Sequence, residues 1–291
     1  MWLDRNLSPV VDLPAAGRSD LTALHPLATI GLDVGMPELC GAGLSEVWLQ
    51  KACGAQHWRG IEHLVGQPSQ AWRDVGGRRI YASFGWIRSL HTGLATVAEG
   101  DRLSLSSEMC WRSRTQVMSR HRLLGADQTV ATVEMLSVFI SRHVEGDNHS
   151  VRRAEFANEP AWAFSQESPP AKALLQHVRS WRHSAATRSV QGARWSITPC
   201  ARTDFNGAGL LYFPSFTAFA DRAMEGWGWL YPSHGVLSRE CLFLGNVRMG
   251  EVVTVLGTQC EIQDGEAEVE LRFCAGEALR PLAEMRMRSV A

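Results

Sequence analysis

Lysine is nearly missing from this 291-residue chain: Lys51 and Lys172 are the only two among 29 basic residues, so the rest are arginine. Arginine keeps its charge and offers forked donors to carboxylate or phosphate. Acidic and basic side chains nonetheless balance to a formal net charge of −1, which argues against a broad attraction to nucleic acid or to a membrane surface. The cysteines, Cys40, Cys53, Cys110, Cys200, Cys241, Cys260 and Cys274, never fall in a C-x-x-C pair, so neither a disulfide framework nor a zinc site is expected. No apolar run approaches the roughly 20 residues of a membrane-spanning helix. The opening MWLDRNLSPVVDLP lacks the basic start and apolar core of a signal peptide. G-x-S-x-G, Walker A and dinucleotide fingerprints are also missing, and with them the support for an elbow hydrolase, a kinase or a dehydrogenase. A reduced, cytoplasmic enzyme or binding protein is the expectation.

What the chain does have is a repeat. CGAGLSEVW runs from Cys40 to Trp48 and NGAGLLYF from Asn206 to Phe213, each ahead of an apolar run of helical period. In the first copy Leu44, Val47, Trp48 and Lys51 recur at helical spacing. Glu46 sits in the first turn, where the helix dipole favours an acid. Gly54 is placed to close that helix. Strand-like segments follow: RRIYASFGWIRSL, DRLSLSSEMCWRS, TQVMSRHRLL and TVATVEMLSVFISRH. In the first of these Ile80, Ala82, Phe84 and Trp86 alternate with Tyr81, Ser83, Gly85 and Ile87.

A polar stretch, GDNHSVRRAEFANEP, and the pair Pro169 and Pro170 then lead into a helix over residues 171–183. The second half repeats the plan. RWSITPC precedes DFNGAGLLYF, a helix runs through PSFTAFADRAMEG, and four strand-like segments end the chain. Phe216, Phe219, Ala220 and Ala223 share a helical face with Tyr212, and Asp264–Gly265 reads as a hairpin turn. The expected organisation is residues 1–150 as one unit, 151–190 as a linker with a short helix, and 191–291 as a second unit. The class is α+β. Strand, glycine-rich turn, helix and meander in that order describe a hot-dog unit, and two of them a double hot dog.

GMPELCGAGLSEVWLQKACGAQHW and DFNGAGLLYFPSFTAFADRA, with RRIYASFGWIR, SVRRA and the G-N-x-x-x-G-E pattern at Gly245–Glu251, resemble the double-hot-dog acyltransferase/decarboxylases of polyketide biosynthesis, as in the leinamycin pathway. The resemblance covers the chain from about Gly35 to its end. The Asp-x-Asn-Gly entry also resembles an element of single-hot-dog acyl thioesterases. The first family implies a methylmalonyl thioester of coenzyme A as substrate. It also implies decarboxylation, transfer of the acyl group to the phosphopantetheine arm of an acyl carrier protein, and no bound cofactor. A homodimer is left open. The family's active-site tyrosine aligns with Tyr81.

Decarboxylation of a malonyl-type thioester leaves an enolate, which preorganised donors stabilise. Gly207 and Gly209 are expected at a helix start whose free N–H groups reach the ligand, with the Asn206 side chain as a further donor. Gly41 and Gly43 are the corresponding pair in the first copy. Tyr81 is read as donating to the thioester oxygen, protonating the enolate or accepting the acyl group; donation demands least, because an ordinary phenol titrates near pH ~10. Asp204 activates water, attacks the thioester or caps the following helix, and capping is the simpler reading. Glu46 faces the tunnel or the surface, with the surface favoured. Tyr212 joins the substrate-contacting set. His121, like His143, faces either the core or the tunnel. Cys53 and His57, spaced i and i+4, lack further ligands for a metal. A thioesterase, a dehydratase and a non-catalytic scaffold for acyl thioesters or carrier proteins are the competing readings.

Overall fold

The computed structural model describes residues 25–126, 128–157, 169–187, 192–229, 235–263 and 266–290. The first half contains β1 (His25–Pro26), β2 (Ile30–Asp33), a hairpin of β3 (Leu39–Cys40) and β4 (Gly43–Leu44), and helix α1 (Glu46–Val65). A meander follows: β5 (Ile80–His91), β6 (Arg102–Ser113), β7 (Gln116–Leu124) and β8 (Thr129–Arg142), then the short β9 (Val151–Arg153). Helix α2 (Pro169–Thr187) comes next, longer at both ends than the expected 171–183. The second half has β10 (Ala193–Ile197), helix α3 (Phe213–Trp227), and the meander β11 (Val236–Phe243), β12 (Val253–Gln263), β13 (Glu266–Ala275) and β14 (Arg280–Val290). Asp264 and Gly265 lie outside the described residues.

Strand order is the same in both halves. β2–β6–β7–β8–β5 runs inward from one side and β10–β12–β13–β14–β11 from the other, all antiparallel. The two meet where β5 pairs with β11, from Trp86 opposite Leu242 to Leu90 opposite Ser238. Each half closes on its own apolar cluster. Leu49 and Cys53 of α1 pack on Phe84, Leu105 and Met135, and Phe216, Phe219 and Ala223 of α3 on Phe273 and Met285.

The GAGL repeat has a conformational basis. Gly43 and Gly209, third in each copy, both take positive φ (97° and 68°), a region that favours glycine. The leucine that follows is buried in each copy. Only the first copy enters its helix at once, with Ser45 as N-cap accepting from the Trp48 N–H. The second ends in a loop, and α3 starts later at Phe213, so Gly207 and Gly209 do not form a helix N-terminus.

Helix α1 differs from its expectation in face and length. Its buried side is Leu49, Gln50, Cys53, Gln56, His57 and Ile61 rather than the Val47–Lys51 stripe. Gly54 does not close it; Gly66 does, with a left-handed φ of 69°. Gly54 instead lets α1 approach α3, since a Cβ there would lie 2.9 Å from Cζ of Phe213.

Along β5 the expected alternation is broken by a bulge between Phe84 and Trp86. A bulge adds one residue and reverses the faces of those beyond it. Phe84 and Ile87 therefore share the inner cluster, whereas Trp86 turns outward under α2.

Replacing Gly54 with Val should destabilise the fold by about 1–3 kcal/mol through overpacking against Phe213. Urea denaturation of both proteins tests this; equal midpoints would contradict the close α1–α3 contact.

Candidate active site

The β5–β11 seam ends at Trp86 and Leu242. Before that point β5 has no β11 partner, and the two sheets part. A cavity of about 260 Å³ fills the opening. One wall is Arg79 with residues 80–84 of β5. The other is the loop from Asn206 to Leu211 with Phe243, Gly245 and Asn246. Its interior is aromatic, because Phe84 meets Phe213 edge-on at 4.5 Å and Phe216 meets Phe243 at 5.3 Å. Ser69, Arg79, Tyr81, Ser83, Asn206 and Asn246 supply its polar groups. The lining, among the described residues, includes no carboxylate and no imidazole.

Tyr81 sits between two guanidinium groups. Those of Arg79 and Arg142 lie 5.1 and 5.3 Å from its ring centre, where the ring face attracts a cation. Arg142 donates in turn to the Ala208 carbonyl and to Oδ1 of Asn148. Asn148 is buried, and its Nδ2 donates to the carbonyls of Gly209 and Val247, both at 2.7 Å. Asn246 completes the frame by accepting at Oδ1 from the Leu211 and Val247 N–H groups. Two asparagines thus tie the β8 end, the 206–211 loop and the 246–251 loop together.

Within the loop the Asn206 side chain is half spent. Its Oδ1 accepts from the N–H groups of Ala208 and Leu210, at 3.0 and 3.1 Å, and its carbonyl takes the Gly209 N–H. Its Nδ2, the Gly207 N–H and the Tyr81 hydroxyl have no hydrogen-bond partner among the described residues. Tyr81, Asn206 and Gly207 therefore come together at the cavity.

The other expected residues lie elsewhere. Asp204 accepts at Oδ2 from the Cys200 N–H at 2.7 Å, closing the Cys200–Asp204 turn well before α3 begins at Phe213 instead of capping the helix itself. Gly209 shapes the loop without lining the cavity. Tyr212 is N-cap to α3 and stacks on Trp58 at 6.2 Å; burial pushes its phenol up to about 12. Gly41 belongs to the β3–β4 turn, and Gly43 is required there because a Cβ would meet the Leu94 carbonyl at 2.3 Å.

Glu46 is neither at the cavity nor on the surface. Its carboxylate lies 3.1 Å from Nε of Arg239, which donates to Asp221 at 2.7 Å, and 3.6 Å from His91. Desolvation lifts the Asp221 carboxyl despite Arg239, and the two carboxylates raise the Arg239 guanidinium despite its own burial.

His121 points into the core. It bonds Ser107 and Ser119, each at 2.8 Å, and Ser119 and Ser137 flank His57 at 2.6 and 2.8 Å. Among the described residues no group of three or more histidine, cysteine or acidic side chains is arranged to hold a metal. No described helix is long and apolar enough to cross a membrane.

No protein-family model matches the chain, and no curated protein matches it in sequence. Its likeness to solved structures is extensive. A protein assigned as an oleoyl thioesterase, from Lactobacillus plantarum, superposes with a TM-score of 0.65 at 8% identity, over 93% of this chain and 97% of the other. The 12:0-ACP thioesterase of Umbellularia californica gives 0.61 at 7% identity, over 90% and 92%. An acyl-ACP thioesterase from Bacteroides thetaiotaomicron gives 0.60 at 7% identity, over 90% and 97%. The fold is a double hot dog. In its terms the cavity lies where the two hot dogs separate beyond their shared seam.

Sequence reasoning missed Arg79, Arg142, Asn148, Asn246 and the aromatic walls. Arg79 stands two residues before Tyr81 and Asn246 inside the G-N-x-x-x-G-E pattern, so both were within reach. Nothing local marks Asn148, whose role comes from partners 61 and 99 residues away.

Burial holds His121 down to about 3, and holds His57 well below the ordinary imidazole range with help from neighbouring His121. Both are neutral in the fold, whereas the unfolded chain protonates them near pH ~6.5. Their stabilisation is therefore complete above pH ~6.5 and is lost as pH falls, by up to about 1.4 kcal/mol per pH unit for each. Urea midpoints between pH 7.5 and 5 should fall less steeply in His121→Asn than in the parent; parallel slopes would contradict the assignment.

Proposed function

We propose that this double hot dog is an enzyme of acyl thioesters carried on coenzyme A or an acyl carrier protein. Its reaction is decarboxylation of a malonyl- or methylmalonyl-type unit and transfer of the remaining acyl group to the carrier's phosphopantetheine thiol. The supporting observation is the make-up of the cavity: free donors at Tyr81, Asn206 and Gly207 beside Arg79, with no carboxylate or imidazole among the described lining residues. Water activation calls for a base. Decarboxylation instead calls for donors aimed at the oxygen where the enolate charge develops.

The steps balance through Tyr81. The C–CO₂ bond breaks and its electron pair moves onto the thioester oxygen, which Asn206 Nδ2 and the Gly207 N–H stabilise. The enolate carbon takes the Tyr81 proton. A phenolate is more basic than a thiolate by roughly one to two pH units, so Tyr81 recovers its proton from the incoming carrier thiol. The thiolate adds to the carbonyl, and coenzyme A leaves as its thiolate and is protonated by solvent. Arg79 and Arg142 stabilise the transient phenolate, each about 5 Å from the ring.

Thioester hydrolysis is the second reading, favoured by the thioesterase names of the solved structures described above. Mass spectrometry of the protein with malonyl- or methylmalonyl-CoA, with and without phosphopantetheinylated carrier, separates the two. Carbon dioxide release with an acylated carrier is the expected result, and Tyr81→Phe should slow it by about 10²–10⁴-fold, the contribution of a positioned general acid. Free coenzyme A with free acid would establish the hydrolase. Intact substrate throughout would contradict both.

A further inference from the structure

Helix α2 crosses the outer face of the sheet. Its apolar side, Leu175, Val178, Trp181 and Ala185, covers Trp86 and Leu242 where the seam ends. Beside it is a second cavity of about 90 Å³, floored by Gly85, Leu136, Val138 and Val178. Three arginines line it: Arg179 and Arg182 from adjacent turns of α2, and Arg153 from β9. The Gln116 amide is the remaining polar group.

Arg88, Arg120, Arg239, Arg248 and Arg286 each have a carboxylate at ion-pair distance. Among the described residues, Arg153, Arg179 and Arg182 have none, and no acid lines their cavity. Other arginines, among them Arg79 and Arg142, also lack an ion-pair acid among the described residues, but these three share one cavity. Arg182 is fixed by one bond, Nη2 to the Phe243 carbonyl at 2.9 Å, and reaches it across Gly85, where a Cβ would stand 3.8 Å from the guanidinium. Desolvation and the charge of Arg153 both hold the Arg182 guanidinium down. Like charges gathered over an apolar floor repel one another even where, as here, the side chains reach solvent, and an anion would offset that repulsion.

We propose that this cavity binds a phosphate-type oxyanion through Arg153, Arg179 and Arg182. Planar guanidinium forks match such an anion with paired donors. The cavity, about 90 Å³, is several times the ~10–15 Å³ that one water needs, so a single tetrahedral group fits. The ligand is either free inorganic phosphate or a single phosphate ester of a larger molecule, such as the 3′-phosphate of coenzyme A. The site lies outside the candidate active site and does not rest on the thioester reading.

Titration calorimetry at fixed ionic strength tests it with three probes: inorganic phosphate, coenzyme A and 3′-dephospho-coenzyme A. Arg153→Gln and Arg179→Gln are the informative variants, because neither side chain makes a hydrogen bond among the described residues. Both should keep the parent's circular dichroism and melting temperature in phosphate-free buffer. Saturable one-to-one binding of phosphate, weakened about tenfold or more in either variant, is expected if the ligand is the free anion. Variant-sensitive binding of coenzyme A, lost in the dephospho form, is expected if it is an ester. No saturable binding of phosphate or coenzyme A, or binding unchanged in both variants, would overturn the proposal.

Discussion

The antiparallel seam between β5 and β11 is the constraint from which the remaining features follow. It makes one sheet of two halves, but only from Trp86 and Leu242 onward. Where it stops, backbone groups that would have paired across it diverge, and the opening must be filled by side chains or left as a cavity. Phe84, Phe213, Phe216 and Phe243 fill it partly and leave a polar rim on one side. The bulge at Gly85 stands at this fork. It turns Trp86 outward to receive α2 and leaves Phe84 facing inward, so one irregular residue separates the candidate active site from the arginine pocket behind it.

Two kinds of buried polar contact hold the halves in register around the opening. Arg239 of β11 joins Glu46 of α1 to Asp221 of α3, so the N-terminal turn of one central helix is referenced to the other. Such a cluster specifies geometry more than it adds stability, because desolvation of each charge offsets much of the attraction. Asn148 does the same at the rim through its neutral amide, satisfying Arg142, Gly209 and Val247 at once. Buried amides left unpaired are costly, so the loop carrying Asn206 and Gly207 has little freedom to drift from Tyr81. That is the preorganisation an oxyanion site needs.

Most of the fold was legible in the sequence, and the site only in part. The strands of both meanders matched their segments closely, because apolar and β-branched runs bounded by turn residues mark them even where, as in β8, both faces are buried over part of the length. Helix α1 was misread: its buried side carries Gln50, Gln56 and His57, polar residues that apolar periodicity counts as solvent-facing. Their partners, Thr217 for Gln50 and Ser119 and Ser137 for His57, lie 62 to 167 residues away. Gly54 looked like a helix end for a similar reason. A glycine kept for close packing and one kept for a left-handed cap are identical letters, and only Phe213 across the interface tells them apart. Tyr81 was placed through a resemblance, and Asn206 through an expected helix start that the structure puts seven residues later, at Phe213. Glu46 and His121 fell to interactions that no local pattern encodes.

The account turns on where an acyl thioester sits. Its most direct test is a crystal structure with a non-reactive thioether analogue of malonyl-CoA. The account predicts the acyl group between residues 79–84 and the 206–211 loop, with its carbonyl oxygen within hydrogen-bonding distance of the Tyr81 hydroxyl, the Asn206 amide or the Gly207 N–H. An analogue bound elsewhere, or in this cavity with its carbonyl turned from all three donors, would contradict it.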